Sequence, residues 1–250
     1  MINYIKHLNI SLFLIVFSLN LQAQNQSGVI TYKGEVNQKF VDSFITAYEQ
    51  KNVPMAVKQR LIDAMRNAKP EEFKLNFKND ESYYYNVPSL EQDGLYVGSR
   101  AGVTPYYTSN STDTIIEMSR ALGNIALQPI EWEITNKTKK IGNYTCRQAK
   151  TTEKHYSRQG NYYYKNVVAW FTPEIPISFG PKYYKGLPGL ILQIEDKEYT
   201  LTAIKINLNP SEDIKIKRLE KNDKVITQEE SFNRIKEMED DRKKNVSNNR

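Results

Sequence analysis

Phe73, Leu75 and Phe77 alternate with lysine and asparagine, the period of a strand with one face in a core. The same alternation runs through Gly28 to Val36, and Tyr83-Tyr84-Tyr85 supplies a partner strand. Tyr106-Tyr107 and Thr114 to Met118 read as strands around an Asn110-Ser111 turn, and Leu90 to Gly102 reads as a loop. Trp132 with Ile134, then Tyr144, Cys146 and Gln148, give two more strands joined at Lys140 to Asn143. Val167 to Phe171 is a strongly apolar strand, and Asp213 to Leu219 predicts a last one. Leu190, Leu192 and Ile194 face Tyr199, Leu201 and Ala203 across a Glu195 to Glu198 turn. The apolar phase then shifts to Ile204, Ile206 and Leu208, which predicts a β-bulge or twist near Ala203.

Three segments change period. Phe40, Phe44 and Tyr48 recur every fourth residue, as do Val57, Leu61 and Met65, with a break from Asn52 to Pro54. This predicts two helices whose expected job is to cover one face of the sheet. Thr227 and Glu230 form a capping-box pattern ahead of Phe232, Ile235 and Met238, so a third helix starts there and ends in a charged, fraying tail. The expected fold is α+β: a predominantly antiparallel, curved sheet, a bowl or partial barrel, with two N-terminal helices and one C-terminal helix.

The first residues bear on the compartment. Lys6 precedes an apolar run from Leu8 to Leu21, and Leu21-Gln22-Ala23 suits a signal peptidase. Residues 1–23 therefore read as a signal peptide and 24–250 as one β-rich domain of roughly 227 residues, long enough to bury a core without staples. The apolar run is short for a bilayer, which needs about 20 residues, though an uncleaved anchor is the alternative. The cleavage point has no cysteine to lipidate, and no later stretch is apolar enough to span a membrane. A periplasmic or secreted product is expected. The formal charge is +6, falling to +5 without the leader, with acids and bases interspersed. No basic block tracks phosphates, so a nucleic-acid partner is not expected.

Candidate chemistry is sparse. Cys146 is the one cysteine, so no disulfide forms within the chain. A Cys146–His155 nucleophile would need a hairpin to bring its members together, and a buried inert thiol is the preferred reading. One mature histidine and one cysteine build no typical metal site, and no cofactor motif is present. Glu131/Glu133 and Glu195/Asp196 are carboxylate pairs that solvated strand edges explain. Asp113-Thr114-Ile115 resembles a bacterial O-glycan acceptor pattern, and Asn110 and Asn136 match N-glycan acceptor strings.

Lys185-Gly186-Leu187-Pro188-Gly189-Leu190-Ile191 contains the string that names the GLPGLI family of exported Bacteroidota proteins. Ala169 to Pro181, with Pro173, Pro176, Gly180 and Pro181, is similar to a second block of that family, and Ile141 to Ala149 to a third. The resemblance implies export and a β-rich body, with no established activity or catalytic residue to transfer. Leu187-Pro188-Gly189-Leu190 fits a type II turn, and Leu190-Ile191-Leu192 then starts a buried strand. Thr172 to Gly189 is thus expected to be a stiff ordered loop between two core strands. It either plugs one end of the sheet and sets register, or forms the rim of a ligand site with Trp170, Phe179, Tyr183 and Tyr184 as contacts. The expected function is that of a non-enzymatic envelope binding or accessory protein that holds a lipophilic, glycan or protein partner. The alternative is a hydrolase using carboxylates at the sheet mouth.

Overall fold

The structure, a computed structural model, describes residues 26–89, 97–157 and 160–248. The signal-peptide expectation, and the first half of the loop expected from Leu90 to Gly102, lie outside these residues. Twelve strands form one sheet: β1 Ser27–Val36, β2 Glu71–Lys78, β3 Glu81–Val87, β4 Tyr106–Ser109, β5 Thr114–Ser119, β6 Gly123–Ala126, β7 Glu133–Ile141, β8 Tyr144–Tyr156, β9 Tyr162–Thr172, β10 Leu190–Glu195, β11 Tyr199–Leu208 and β12 Val225–Thr227. Three helices accompany them: α1 Gln38–Glu49, α2 Met55–Arg66 and α3 Gln228–Asn248. The strand order is β12-β6-β5-β4-β3-β2-β1-β11-β10-β9-β8-β7. Only the β12–β6 pairing is parallel among the described residues. The fold is mostly β, with an open sheet and not a closed barrel.

Covalent reach requires this sheet to curl. β6 and β7 stand ten strand spacings apart, roughly 48 Å in a flat sheet. The chain crosses between them from Ala126 to Glu133, which reaches at most about 25 Å. The two ends must therefore approach one another, with residues 127–132 bridging the gap.

Alternation decides what faces inward. Cross-strand partners share a face, so Phe73, Leu75 and Phe77 on β2 line up with Ile30 and Tyr32 on β1 and with Tyr84 on β3. The row continues to Tyr106 on β4, Glu117 on β5 and Ile125 on β6. In the other direction it reaches Leu201, Ile194 and Ala169, then Ala149 on β8. Most of these side chains are buried. The expected bulge is present: Tyr32 pairs with Ala203 and Thr31 with Lys205, leaving Ile204 as the extra residue.

Residues 173–189 form an ordered plug between β9 and β10, without helix or strand. Ile175, Ile177, Phe179, Tyr184 and Leu187 are buried, and each such side chain contributes roughly 1.5–3 kcal/mol. Phe179 packs on Phe77 at 6.3 Å and Tyr183 on Tyr106 at 5.1 Å, so the plug lies against the inner face. Its polar backbone groups are used locally: Gly186 N–H reaches the Ser178 hydroxyl at 3.1 Å, and the Phe179 carbonyl accepts from the Ile191 N–H of β10 at 3.0 Å. The buried Lys185 ammonium is held by the Ser109 carbonyl at 3.0 Å and Asp113 at 2.7 Å. The expected non-helical connection between two core strands is thus present, packed against the sheet.

Four expectations are corrected. Leu187 to Leu190 is not a type II turn. Gly189 has positive φ, but at +147°, and its N–H bonds back to the Leu187 carbonyl two residues earlier. The Leu190 N–H goes instead to Ile175, because β10 must leave the turn already bonded to the plug. Asp213 to Leu219 is not a strand. Lys78–Asp213 (2.7 Å) and Arg218–Glu81 (2.6 Å) hold it by side chains, so it needs no ladder. The helices α1 and α2 pack on each other more than on a sheet face, and Val57 is exposed. The strand expected from Val167 begins earlier: β9 starts at Tyr162 and β8 runs to Tyr156, making one long hairpin. The capping box is as expected, with Thr227 Oγ1 accepting from Glu230 N–H at 3.1 Å and Glu230 Oε2 accepting from Thr227 N–H at 2.6 Å.

Candidate functional site

The gap between the two ends of the sheet is a cleft of about 550 Å³. One wall comes from β4, β5 and β6, the other from residues 151–156 of β8. The bridging segment, the plug residues Lys182 and Tyr183, and the first turns of α3 complete it. Its apolar members include Ile125, Leu127, Phe232 and Ile235.

The floor is polar because strand alternation turns charged residues inward. Glu153 and His155 continue the Ala149–Thr151 face of β8, and Glu117 continues the Ile115 face of β5. Glu153 Oε2 accepts from the Tyr183 hydroxyl at 2.9 Å and lies 3.1 Å from His155 Nε2. The Tyr184 hydroxyl is at 3.5 Å from the same oxygen. Glu153 is 11 % exposed at its side chain, and its Oε1 is buried with no hydrogen-bond partner among the described residues. The buried Tyr84 hydroxyl is likewise without a partner. Lys182 donates to the Tyr199 hydroxyl at 3.1 Å and the Ala101 carbonyl at 3.0 Å, from a left-handed backbone at φ +60° that costs a non-glycine residue roughly 1–2 kcal/mol.

Burial sets the electrostatics. It raises the Glu117 carboxyl above the usual range, opposed by Lys182 and His155. It also pushes the Tyr106, Tyr183 and Tyr184 phenols well above theirs, with Glu153 adding to the rise at each. These tyrosines are therefore neutral hydrogen-bonding groups at any ordinary pH. Larger hollows of about 720 and 810 Å³ lie elsewhere. In the first, Glu71 is already bonded to Ser99 (2.6 Å) and Arg100 to Glu198 (2.7 Å); the second lies over the β8–β9 strands. Neither joins inward-facing acids as the 550 Å³ cleft does.

Of the four contact residues expected from the sequence, Tyr183 lines this cleft and Tyr184 packs against it at 4.6 Å. Phe179 sits in the core on Phe77. Trp170 is on the opposite face of β9 from Ala169 and Phe171. There its indole donates to Glu195 at 3.0 Å, and the Lys139 ammonium stands 4.1 Å from its ring centre. Cys146 and His155 lie nine residues apart on one extended strand, a separation of roughly 30 Å, so they form no catalytic pair. Glu131 lines the cleft, whereas Glu195 is bonded to Lys139 and Asp196 faces Lys165. Among the described residues no three His, Cys, Asp or Glu side chains gather as a metal site. The sequence reading missed Glu117, Glu153 and Lys182. The signal was a carboxylate standing in phase with apolar neighbours, at Ile115–Glu117 and Ala149–Glu153.

Residues 161–193 match a family model described as a protein of unknown function (Porph_ging). The match spans β9, the plug and most of β10. Two solved structures of PNGF-II, in C2 and P21 crystal forms, are similar at 11 % and 12 % identity, with TM-scores of 0.44 and 0.41. They cover 86 % and 84 % of this chain but 33 % and 34 % of their own, so the chain spans about a third of their length. No curated protein matches the chain.

Proposed function

We propose that the protein is an exported binding protein of the GLPGLI type, holding a small ligand in the cleft between the ends of its sheet. The observation that carries this is Glu153. A carboxylate oxygen that is buried without a partner costs roughly 1–3 kcal/mol or more, a cost the fold could avoid with a leucine. A ligand donor entering the cleft would satisfy it. The neighbouring Tyr183 and His155 hold the other oxygen and fix the direction in which the free one points. No helix among the described residues is long and apolar enough to cross a membrane.

Native mass spectrometry of the purified chain, exposed to small-molecule extracts of the envelope, tests this reading. A saturable small ligand is expected, held at least tenfold more weakly by Glu153→Gln and equally by Met55→Ser on the distant helix α2. Absence of any such ligand, or binding indifferent to Glu153, would overturn it.

A second reading is favoured by Glu117. A carboxyl held up by burial, in the same cleft as a second carboxylate, is the arrangement of a general acid and a base in hydrolysis. The acid would protonate the leaving group while the other carboxylate activates water. Turnover abolished by Glu117→Gln would support this reading, and binding without turnover across a hydrolase substrate panel would remove it.

A further inference from the structure

We infer that the ligand is a neutral oligosaccharide, bound with its sugar rings against the aromatic rim and its hydroxyls on the acidic floor. This rests on the binding reading above and names its ligand class. Three independent features point the same way.

The first is the rim. Tyr156, Tyr162 and Phe232 meet at ring-centre distances of 5.0, 6.0 and 6.1 Å where the β8–β9 hairpin touches α3. Tyr156 and Phe232 line the cleft, and Tyr162 beside them is 52 % exposed. Beyond it, Tyr163 is also exposed and stacks on His155 at 5.5 Å. The Lys154 ammonium stands over the Tyr162 ring at 4.0 Å, and the remaining accessible parts of these rings, at the edge of the cleft, offer flat apolar surface at low entropic cost. The C–H face of a pyranose is flat and apolar and fits such a surface.

The second is the floor. Glu153 presents an acceptor with no donor, the Tyr183 hydroxyl, whose proton goes to Glu153, can accept, and the neutral Tyr106 hydroxyl can donate or accept. A sugar ring carries donors and acceptors around its edge and would meet both. An alkyl chain would bury Glu153 without a partner, at the cost stated above.

The third is charge. Lys182 is already taken by Tyr199 and Ala101, and burial raises the Glu117 carboxyl above its usual range. Of the other lining residues, Lys154 is drawn over the Tyr162 ring at 4.0 Å, and the carboxylates of Glu131 and Glu153 outnumber it, which disfavours phosphates, sulfates and uronates. The site therefore selects an uncharged polyol.

A panel of neutral oligosaccharides, uronate-containing oligosaccharides and palmitate, titrated into the mature chain by calorimetry, tests the inference. At least one neutral oligosaccharide is expected to bind saturably, with uronate analogues at least tenfold weaker. Phe232→Ala and Tyr162→Ala should each weaken it about fivefold, and Glu153→Gln about tenfold, with unchanged circular dichroism. Tyr162 is exposed, so its variant will fold even if the others fail. Binding of palmitate alone, lost in Glu153→Gln, overturns the saccharide and leaves the cleft as a binding site. Saccharide binding indifferent to all three substitutions overturns the assignment to this cleft. Failure of every probe together with no ligand in the native mass spectra overturns both.

Discussion

The Tyr32 hydroxyl donates a 2.7 Å hydrogen bond to the Ile191 carbonyl, tying β1 to the strand that leaves the plug 159 residues later. Tyr32 is fully buried, and burial alone pushes its phenol far above the ordinary range, so it acts as a permanent donor. Through this bond the plug is clamped to the centre of the sheet rather than to its edge.

Tyr32→Phe should destabilise the fold by about 1–3 kcal/mol, since it removes the donor while leaving the Ile191 carbonyl buried. Urea unfolding followed by far-ultraviolet circular dichroism measures it. A variant as stable as the parent would show that the bond contributes nothing.

Two glycines of the same motif should behave differently. At Gly189 a Cβ would collide with the Thr172 carbonyl oxygen, and the backbone is left-handed at φ +147°. At Gly186 (φ +90°) a Cβ meets nothing within 4 Å. Gly186→Ala should cost roughly 1–2 kcal/mol from the backbone alone. Gly189→Ala should leave no soluble folded protein, because two backbones cannot separate without breaking the β9–β10 pairing. Equal thermal stabilities for the two variants would contradict this.

Stability should respond to pH in opposite senses at two glutamates. Burial raises the folded-state pKa of Glu117, so its contribution favours the fold below the unfolded carboxyl range and is lost as pH rises through the raised value. Hydrogen bonding to Arg218 lowers that of Glu81, so its contribution is present above the unfolded range and lost as pH falls through the lowered value. From pH 4 to 8 the parent should lose stability relative to Glu117→Gln and gain it relative to Glu81→Gln. Denaturant midpoints across that range decide it, and parallel curves would refute both assignments.

Cys146 is buried, and burial pushes its thiol up to about 11. Because the thiolate is the reactive form, the native chain should react with a disulfide reagent at pH 8 roughly a hundredfold more slowly than the unfolded chain. Fast native labelling would mean that β8 opens readily.

Much of this architecture was legible along the chain. Alternation at Phe73, Leu75 and Phe77 places each of them in the core, and the phase change after Ala203 marks the bulge at Ile204. Thr227 and Glu230 announce the start of α3 because both partners of a capping box lie within one turn. Asp213 to Leu219 misled because alternating lysines and apolar residues suit a strand as well as a segment pinned by ion pairs. The aromatics near the motif were only half informative: Tyr183 lines the cleft, but Phe179 fills core space and Trp170 answers to Lys139 and Glu195 on the other face.

What the residues determined unaided is local: which side chains of each strand share a face, where glycine is needed, and that an irregular, packed segment joins β9 to β10. These follow from a two-residue period and from fixed proline and glycine torsions, which need no distant partner. The cleft is of another kind. Glu117 and Glu153 stand far apart in the chain and eight strand positions apart in the sheet order, and each alone reads as an oddly placed acid. Only the curl imposed by the short bridge from β6 to β7 brings their strands to one opening, where burial then changes what their carboxyls can do.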